Sequence, residues 1–267
     1  MRDCIGLMAG EGELPALLAR AMLSQGLEVI AIALCEQAYT SLEPLVQRLS
    51  NIGAGQGNKI ISTLQGAGVH DLVIIGKISK EVLFRRWRFD SRALRVLRRA
   101  RSFQDDALLT EVLREFESEG LRVVEPWRFI PELCPKEGVL TRRRPTPREW
   151  RDIDYGFSAA RSVGTLGIGQ TVVVKRGVVL AVEGMEGTDE TIARGCRLAQ
   201  GGAVVVKVSR PGQDLRLDMP TVGIRTLEVM RAGKATVLAI EAGKTLVVEG
   251  EAFVRAADDA GISAVAG

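Results

Sequence analysis

Residues 4–34 read "CIGLMAGEGELPALLARAMLSQGLEVIAIAL". The stretch opens on an apolar run, turns through Gly10 and Gly12, continues in a helical pattern and closes on a second apolar run. Strands that are apolar throughout, without polar alternation, belong to parallel sheets covered on both faces. "NKIISTLQGAG" and "DLVIIGK" follow with another helix and another strand. The first third therefore predicts a β-α-β-α-β order and a parallel sheet covered by helices.

Further along, "DDALLTEVLREFESEG" places Leu108, Leu109, Val112, Leu113 and Phe116 at helical spacing, with acids at its start and Gly120 as a stop. Residues 125–147 then gather Pro126, Pro131, Pro135, Pro145 and Pro147, a density that few helices or central strands survive. A domain boundary is expected there, with a first domain over 1–130, a proline-rich linker over 131–147 and a second domain over 148–267. In the second, a helix is expected from near Pro147, then a strand pair turning around Lys175 to Gly177. A helix over "TDETIARGCRLAQGG", capped by Thr188 or Asp189 and left at Gly201, comes next. Strands "AVVVKVS", "ATVLAI", "TLVVEG" and "ISAVAG" alternate with helices around "TLEVMRAG" and "EAFVRAADDAG". The fold class is α/β: two α/β domains, an N-terminal Rossmann-like parallel sheet and a C-terminal mixed sheet.

The totals narrow the function. With 267 residues and 46% hydrophobic content the chain can bury ordinary cores, and no apolar run approaches the ~20 residues of a membrane span. The start "MRDCIGLMAG" lacks the pattern of a signal peptide, so a cytoplasmic location is expected. Cys4, Cys35, Cys134 and Cys196 are scattered with no CxxC pair, and His70 is the only histidine. Zinc chemistry, a disulfide framework and a Ser-His-Asp mechanism have little to work with. The net charge of +3 hides "FRRWRFDSRALRVLRRAR", residues 84–101, a solvated or partner-facing helix that leaves open a peripheral contact with anionic headgroups. Nucleic acid is not expected, because aromatics are only 4% and no binding motif is visible.

Four stretches could carry chemistry. "MAGEGELP" joins a strand to a helix through glycines, a turn that lets backbone N–H groups and the helix N-terminus approach a phosphate. A dinucleotide fingerprint would want a third glycine where Pro15 stands, with Glu36 as the ribose acid, so an NAD(P)-dependent oxidoreductase is the alternative reading. Lys77, in "GKISKE", follows another apolar strand, and strand ends of an open parallel sheet share a ligand edge. "VEGMEGTDE", 182–190, sets Glu183, Glu186, Asp189 and Glu190 around glycines and Thr188; oxygen donors of this kind suit Mg²⁺, and helix capping is the plainer reading. In "RLDMPTVG", 216–223, Asp218 stands among apolar residues ahead of a proline; either it is a turn residue or something compensates its charge.

"LMAGEGELP", "QDDALLTEVLREFESEG", "DIDYGFSAAR", "IGQTVVVKRGVVLAVEGMEGTDE" and "RLDMPTVG" occur in that order and resemble, over nearly the whole chain, the LpxI family of UDP-2,3-diacylglucosamine pyrophosphatases of lipid A biosynthesis. The resemblance implies a two-domain, Mg²⁺-dependent enzyme that converts a diacylated UDP-sugar to UMP and 2,3-diacylglucosamine 1-phosphate (lipid X), with its ligand between the domains. It assigns the essential aspartate of D-x-P-T-x-G to Asp218, as metal ligand, general base or both; Asp189 and Glu186, from the stretch 182–190, are the further metal candidates. It implies substrate contacts at Ala9, Gly10, Glu11, Gly12, Lys77, Asp105, Gln170 and Thr188. Glu11 and Lys77 depart from the family pattern, which favours glycine and asparagine there. A homo-oligomer is left open.

Overall fold

The computed structural model describes residues 3–77, 89–100 and 105–267, without the side chains of 105–107. The chain divides into two compact units: residues 1–130 with 214–218, and residues 131–213 with 219–267.

Unit 1 carries β1 (Cys4–Ala9), α1 (Leu14–Ser24), β2 (Glu28–Ala33), α2 (Glu36–Leu42), β3 (Arg48–Asn51), α3 (Gly57–Gly66) and β4 (Asp71–Ile75), followed by α4 (Ser91–Arg99), α5 (Asp105–Ser118) and β5 (Arg122–Val123). Its sheet has the order β3-β2-β1-β4-β5, every pairing parallel. The apolar runs read from the sequence are the three central strands, and the expected Rossmann-like parallel sheet is present. Met8, Ile30, Ile32 and Leu72 form one core with Ile60 and Leu64 of α3 and Leu113 and Phe116 of α5. Each such side chain contributes about 1.5–3 kcal/mol by leaving water.

Unit 2 carries β6 (Gly138–Val139), α6 (Pro147–Thr165), β7 (Thr171–Lys175), β8 (Val178–Val182), α7 (Thr188–Ala199) and β9 (Val204–Lys207). After the excursion into unit 1 come β10 (Thr221–Val222), α8 (Ile224–Ala232), β11 (Val237–Ile240), β12 (Leu246–Val247), α9 (Gly250–Asp259) and β13 (Ser263–Ala266). The main sheet has the order β6-β13-β11-β9-β7-β8, parallel across β13-β11-β9 and antiparallel elsewhere, so it is mixed as expected. "TLVVEG" adds no strand to it; β12 pairs with β10 in a separate two-stranded sheet.

Alternation along the strands splits the core in two. Val172, Val174, Val204 and Val206 pack under Ile153, Phe157 and Ala160 of α6. Val173, Val205 and Leu238 face the opposite way, against residues of α7, α8 and α9. Glycines bring the helices close: a Cβ on Gly195 would stand 2.5 Å from Val173 Cβ, and one on Gly156 would stand 2.4 Å from Val206 Cγ2. The β7–β8 hairpin turns at Arg176 and Gly177, both at positive φ, as a two-residue loop of this kind requires. Their N–H groups donate to the buried Asp152 carboxylate at 2.9 and 2.7 Å.

The proline-dense residues 131–147 fall within unit 2. Gly138 and Val139 form β6, an edge strand on β13, and the prolines fall where no ladder N–H is needed. Pro147 opens α6 behind a capping box in which Thr146 Oγ1 accepts from Glu149 N and Glu149 accepts from Thr146 N.

Candidate functional site

In unit 1 the strand order reverses at β1, with β2 and β3 on one side and β4 and β5 on the other. Open parallel sheets bind ligands outside the carboxyl ends of the strands at such a point. There the two turns are zipped together: Gly10 N donates to Ile75 O (2.8 Å), Glu11 N to Lys77 O (2.7 Å) and Lys77 N to Glu11 O (3.0 Å). A Cβ on Gly10 would lie 2.3 Å from Lys77 O, so this position requires glycine for space. Gly12 requires it for conformation, with φ +110° and open space around. Pro15 sits in the first turn of α1, where its missing N–H costs nothing.

Ala9, Gly10, Glu11, Gly12 and Lys77 are thus brought to one sheet edge, with Ala9 and Gly10 buried and Glu11, Gly12 and Lys77 exposed. Glu36 opens α2 and accepts from Asn51 Nδ2 at 3.3 Å. Asp105 opens α5, and its side chain lies outside the described residues.

The arginine run is only partly described: Arg85, Arg86, Arg88 and Arg101 lie outside the described residues. In α4, whose N-terminus Asp90 caps, Arg92 pairs with Glu115 (2.8 Å) and Glu119, and Arg99 pairs with Glu115 (3.2 Å). Arg95 approaches the same buried Glu115 at 3.9 Å. Part of the cationic charge is therefore spent on holding α4 to α5.

Unit 2 gathers the other motifs. Glu183, buried just after β8, accepts from Thr188 Oγ1 (2.8 Å) and from Gln170 N (3.2 Å). Lys207, buried at the end of β9, donates to Thr221 O (2.9 Å) and reaches Thr188 Oγ1 at 3.4 Å. Gln170 Oε1 is buried with no hydrogen-bond partner among the described residues, an acceptor that a donor from a ligand would satisfy. Thr188 does not cap α7, and neither does Asp189; the N-cap is Gly187, which makes no side-chain cap bond. The Thr188 hydroxyl is committed to Glu183, and Asp189 accepts from Arg225 Nε at 2.7 Å.

Deeper along the same sheet edge, Glu241 follows β11. Its Oε2 accepts from Ser209 N (3.0 Å) and Ser209 Oγ (2.8 Å), and its Oε1 from Arg161 and Lys244, each at 3.3 Å. Burial pushes its pKa up, but the Ser209 donors and Lys244 outweigh this and hold it below the usual range. Ser209 begins the connection that leads to Asp218, so Glu241 fixes the start of that connection.

Asp218 itself is half-buried and ends the segment Asp214–Asp218 that belongs to unit 1. Its N–H donates to Asp214 O at 3.2 Å, and the neighbouring Leu217 packs against the apolar core of unit 1. The turn reading of "RLDMPTVG" describes the backbone, since Asp218 ends a hydrogen-bonded turn.

The donor set can be tested against Mg²⁺. Glu186 accepts from Arg194 (2.6 Å) and from Thr191; its own backbone N–H and Arg194 hold its pKa below the usual range. With Asp189 paired to Arg225, neither carboxylate fits as a prepared metal ligand. Among the described residues no three acidic, histidine or cysteine side chains are grouped to hold an ion. Mg²⁺ commonly takes only one or two carboxylates and fills its other positions with phosphate oxygens and water, so it does not need such a group.

Lys207 and Glu241 are the site-associated residues that motif reading passes over. Lys207 had a signal, a lysine closing a run of buried valines; Glu241 has its partner Ser209 32 residues away in sequence.

Comparison with known proteins bears on the whole chain. Residues 4–133 match the model of the LpxI N-terminal domain and residues 136–265 that of the LpxI C-terminal domain. The chain is 37% identical, over an alignment of 270 residues covering 97% of it and 95% of the relative, to UDP-2,3-diacylglucosamine pyrophosphatase LpxI of Caulobacter vibrioides. The chain belongs to the LpxI family.

Proposed function

We propose that this protein is a cytoplasmic UDP-2,3-diacylglucosamine pyrophosphatase of lipid A biosynthesis. Water adds to one phosphorus of the diphosphate, the bridging P–O bond to that phosphorus breaks, and UMP and 2,3-diacylglucosamine 1-phosphate (lipid X) leave. The observation that carries the reading is the ordered match of both halves of the chain to the LpxI domains, with Asp218 in the D-x-P-T-x-G position.

The diphosphate is anionic and repels nucleophiles, so the reaction needs charge neutralisation and an oriented water. Asp218 is the residue assigned to the water, which it orients or deprotonates; with His70 the only histidine, a carboxylate is the natural base. Mg²⁺, held by Asp218 together with phosphate oxygens, supplies the neutralising charge when bound. Gln170, through its unsatisfied oxygen, and Thr188, held by Glu183, are the polar contacts assigned in unit 2. The turn Ala9–Gly12 with Lys77 is the contact surface assigned in unit 1, and Asp105 is carried with them from the family pattern.

No helix among the described residues is long and apolar enough to cross a membrane. A diacylated substrate nonetheless resides in a bilayer, so we extend the reading to peripheral contact with the inner membrane. Homo-oligomer formation is a further part of the proposal, tested by solution mass. The reaction is tested by incubating the protein with UDP-2,3-diacylglucosamine and Mg²⁺ and quantifying both products by mass spectrometry. UMP and lipid X in equal amounts, with one oxygen taken from ¹⁸O-labelled water, are expected. No UMP at any metal concentration overturns the reading.

A further inference from the structure

The segment that carries Asp218 is joined to α5 and β5 through the Arg216 guanidinium. Arg216 Nε donates to Asp214 Oδ1 (2.9 Å) and Nη2 to Asp214 Oδ2 (2.6 Å), a fork-to-fork pair. Its Nη1 donates to Glu117 Oε1 of α5 (2.9 Å) and to the carbonyl of Val123 in β5 (3.5 Å). The backbone joins in: Arg216 N donates to Asp214 Oδ1 (3.0 Å), Leu217 N to Asp214 O (3.0 Å) and Asp218 N to the same oxygen (3.2 Å). Asp214 closes the turn, and Arg216 fastens the closed turn to α5 and β5 two residues before Asp218.

We propose that Arg216, with Asp214 and Glu117, is a positioning residue that fixes the orientation of the Asp218 carboxylate. This rests on the reading of Asp218 as the catalytic carboxylate. A substrate-binding arginine would look different. Four of the five guanidinium N–H donors are already used within the protein, and one positive charge faces two carboxylates, so the cluster carries a net negative charge and does not attract a diphosphate. Lysine cannot replace the fork, because its point charge makes no bidentate contact with Asp214 while also reaching Glu117.

The test is the kinetics of UMP release by Arg216→Lys, Arg216→Ala and Glu117→Gln, with each variant's fold checked by thermal melting. Misplacing a catalytic group through its support costs about 10–100-fold. Arg216→Lys and Arg216→Ala are both expected to lose kcat by that factor with KM changed less than about threefold, since only an interaction made at the reacting carboxylate is disturbed. Glu117→Gln keeps an acceptor on an exposed side chain and leaves the fold intact; a several-fold loss of kcat is expected. A tenfold rise in KM with kcat preserved would show direct substrate contact and overturn the proposal. So would full activity in Arg216→Lys, or in Glu117→Gln if the Arg216 variants unfold. Asp218→Asn, measured alongside, separates the two claims: full activity there defeats the reading of Asp218 whatever the Arg216 variants do.

Discussion

Replacing Gly10 by alanine tests the zipped turns of unit 1 directly. Gly10 does not have a positive φ, so alanine meets no backbone penalty there; the problem is space alone. Its Cβ would lie 2.3 Å from Lys77 O and 2.9 Å from the backbone carbons of Gly76 and Lys77, where no flexible side chain can yield. The turns must separate, and the two hydrogen bonds between Glu11 and Lys77 go with them, at about 1 kcal/mol each. Overpacking adds about 1–3 kcal/mol, and the stiffer unfolded chain returns about 0.4–1 kcal/mol. The net loss is about 2–4 kcal/mol, which for a unit of this size lowers the melting temperature by roughly 6–12 °C. Differential scanning calorimetry of Gly10→Ala, with Gly53→Ala in an uncrowded turn as control, measures it. A Gly10→Ala protein that melts like wild type would refute the close-approach argument.

Other outcomes follow from the polar clusters. Glu149 accepts from Thr236, Thr146 N and Arg143; burial pushes its pKa up, but these donors outweigh it and hold it below the usual carboxylate range. Its contribution is therefore fully present above the unfolded value of about 4.3 and is lost as pH falls through the lower folded value. Glu149→Ala should cost about 2–3 kcal/mol near neutrality and lose stability less steeply between pH 5 and pH 3 in urea titrations; parallel acid limbs would contradict the assignment. Glu186→Gln and Asp189→Asn, because each carboxylate already serves an arginine, should shift the Mg²⁺ concentration for half-maximal activity less than about threefold. A shift beyond tenfold in that titration would restore them as metal ligands.

Much of the fold was legible because its strands are buried on both faces and so read as unbroken apolar runs: β1, β2, β4, β9, β11 and β13 are all of this kind. β3 ("RLSN"), β5 ("RV"), β6 ("GV") and β10 ("TV") were not, being short or polar, and are defined by what they pair with. The proline-dense stretch begins near the change of unit at residue 130, and its last proline, Pro147, opens a helix. In the site, the glycine turn and Lys77 could be placed together from strand order alone. Helix signals at Thr188 and Asp189 pointed to capping, and tertiary partners, Glu183 and Arg225, claimed both side chains instead. The membership of Asp214–Asp218 in unit 1 depends on Glu117 and Val123, about a hundred residues away, and no local pattern could announce it.

The most direct test of the account compares UMP release from UDP-2,3-diacylglucosamine by the wild-type protein and by Asp218→Asn, in Mg²⁺, with matched melting curves. The account predicts Mg²⁺-dependent turnover by the wild type and a loss of at least about a thousandfold in the variant, the scale of removing a group that acts on the attacking water. Equal turnover by two equally folded proteins would contradict it.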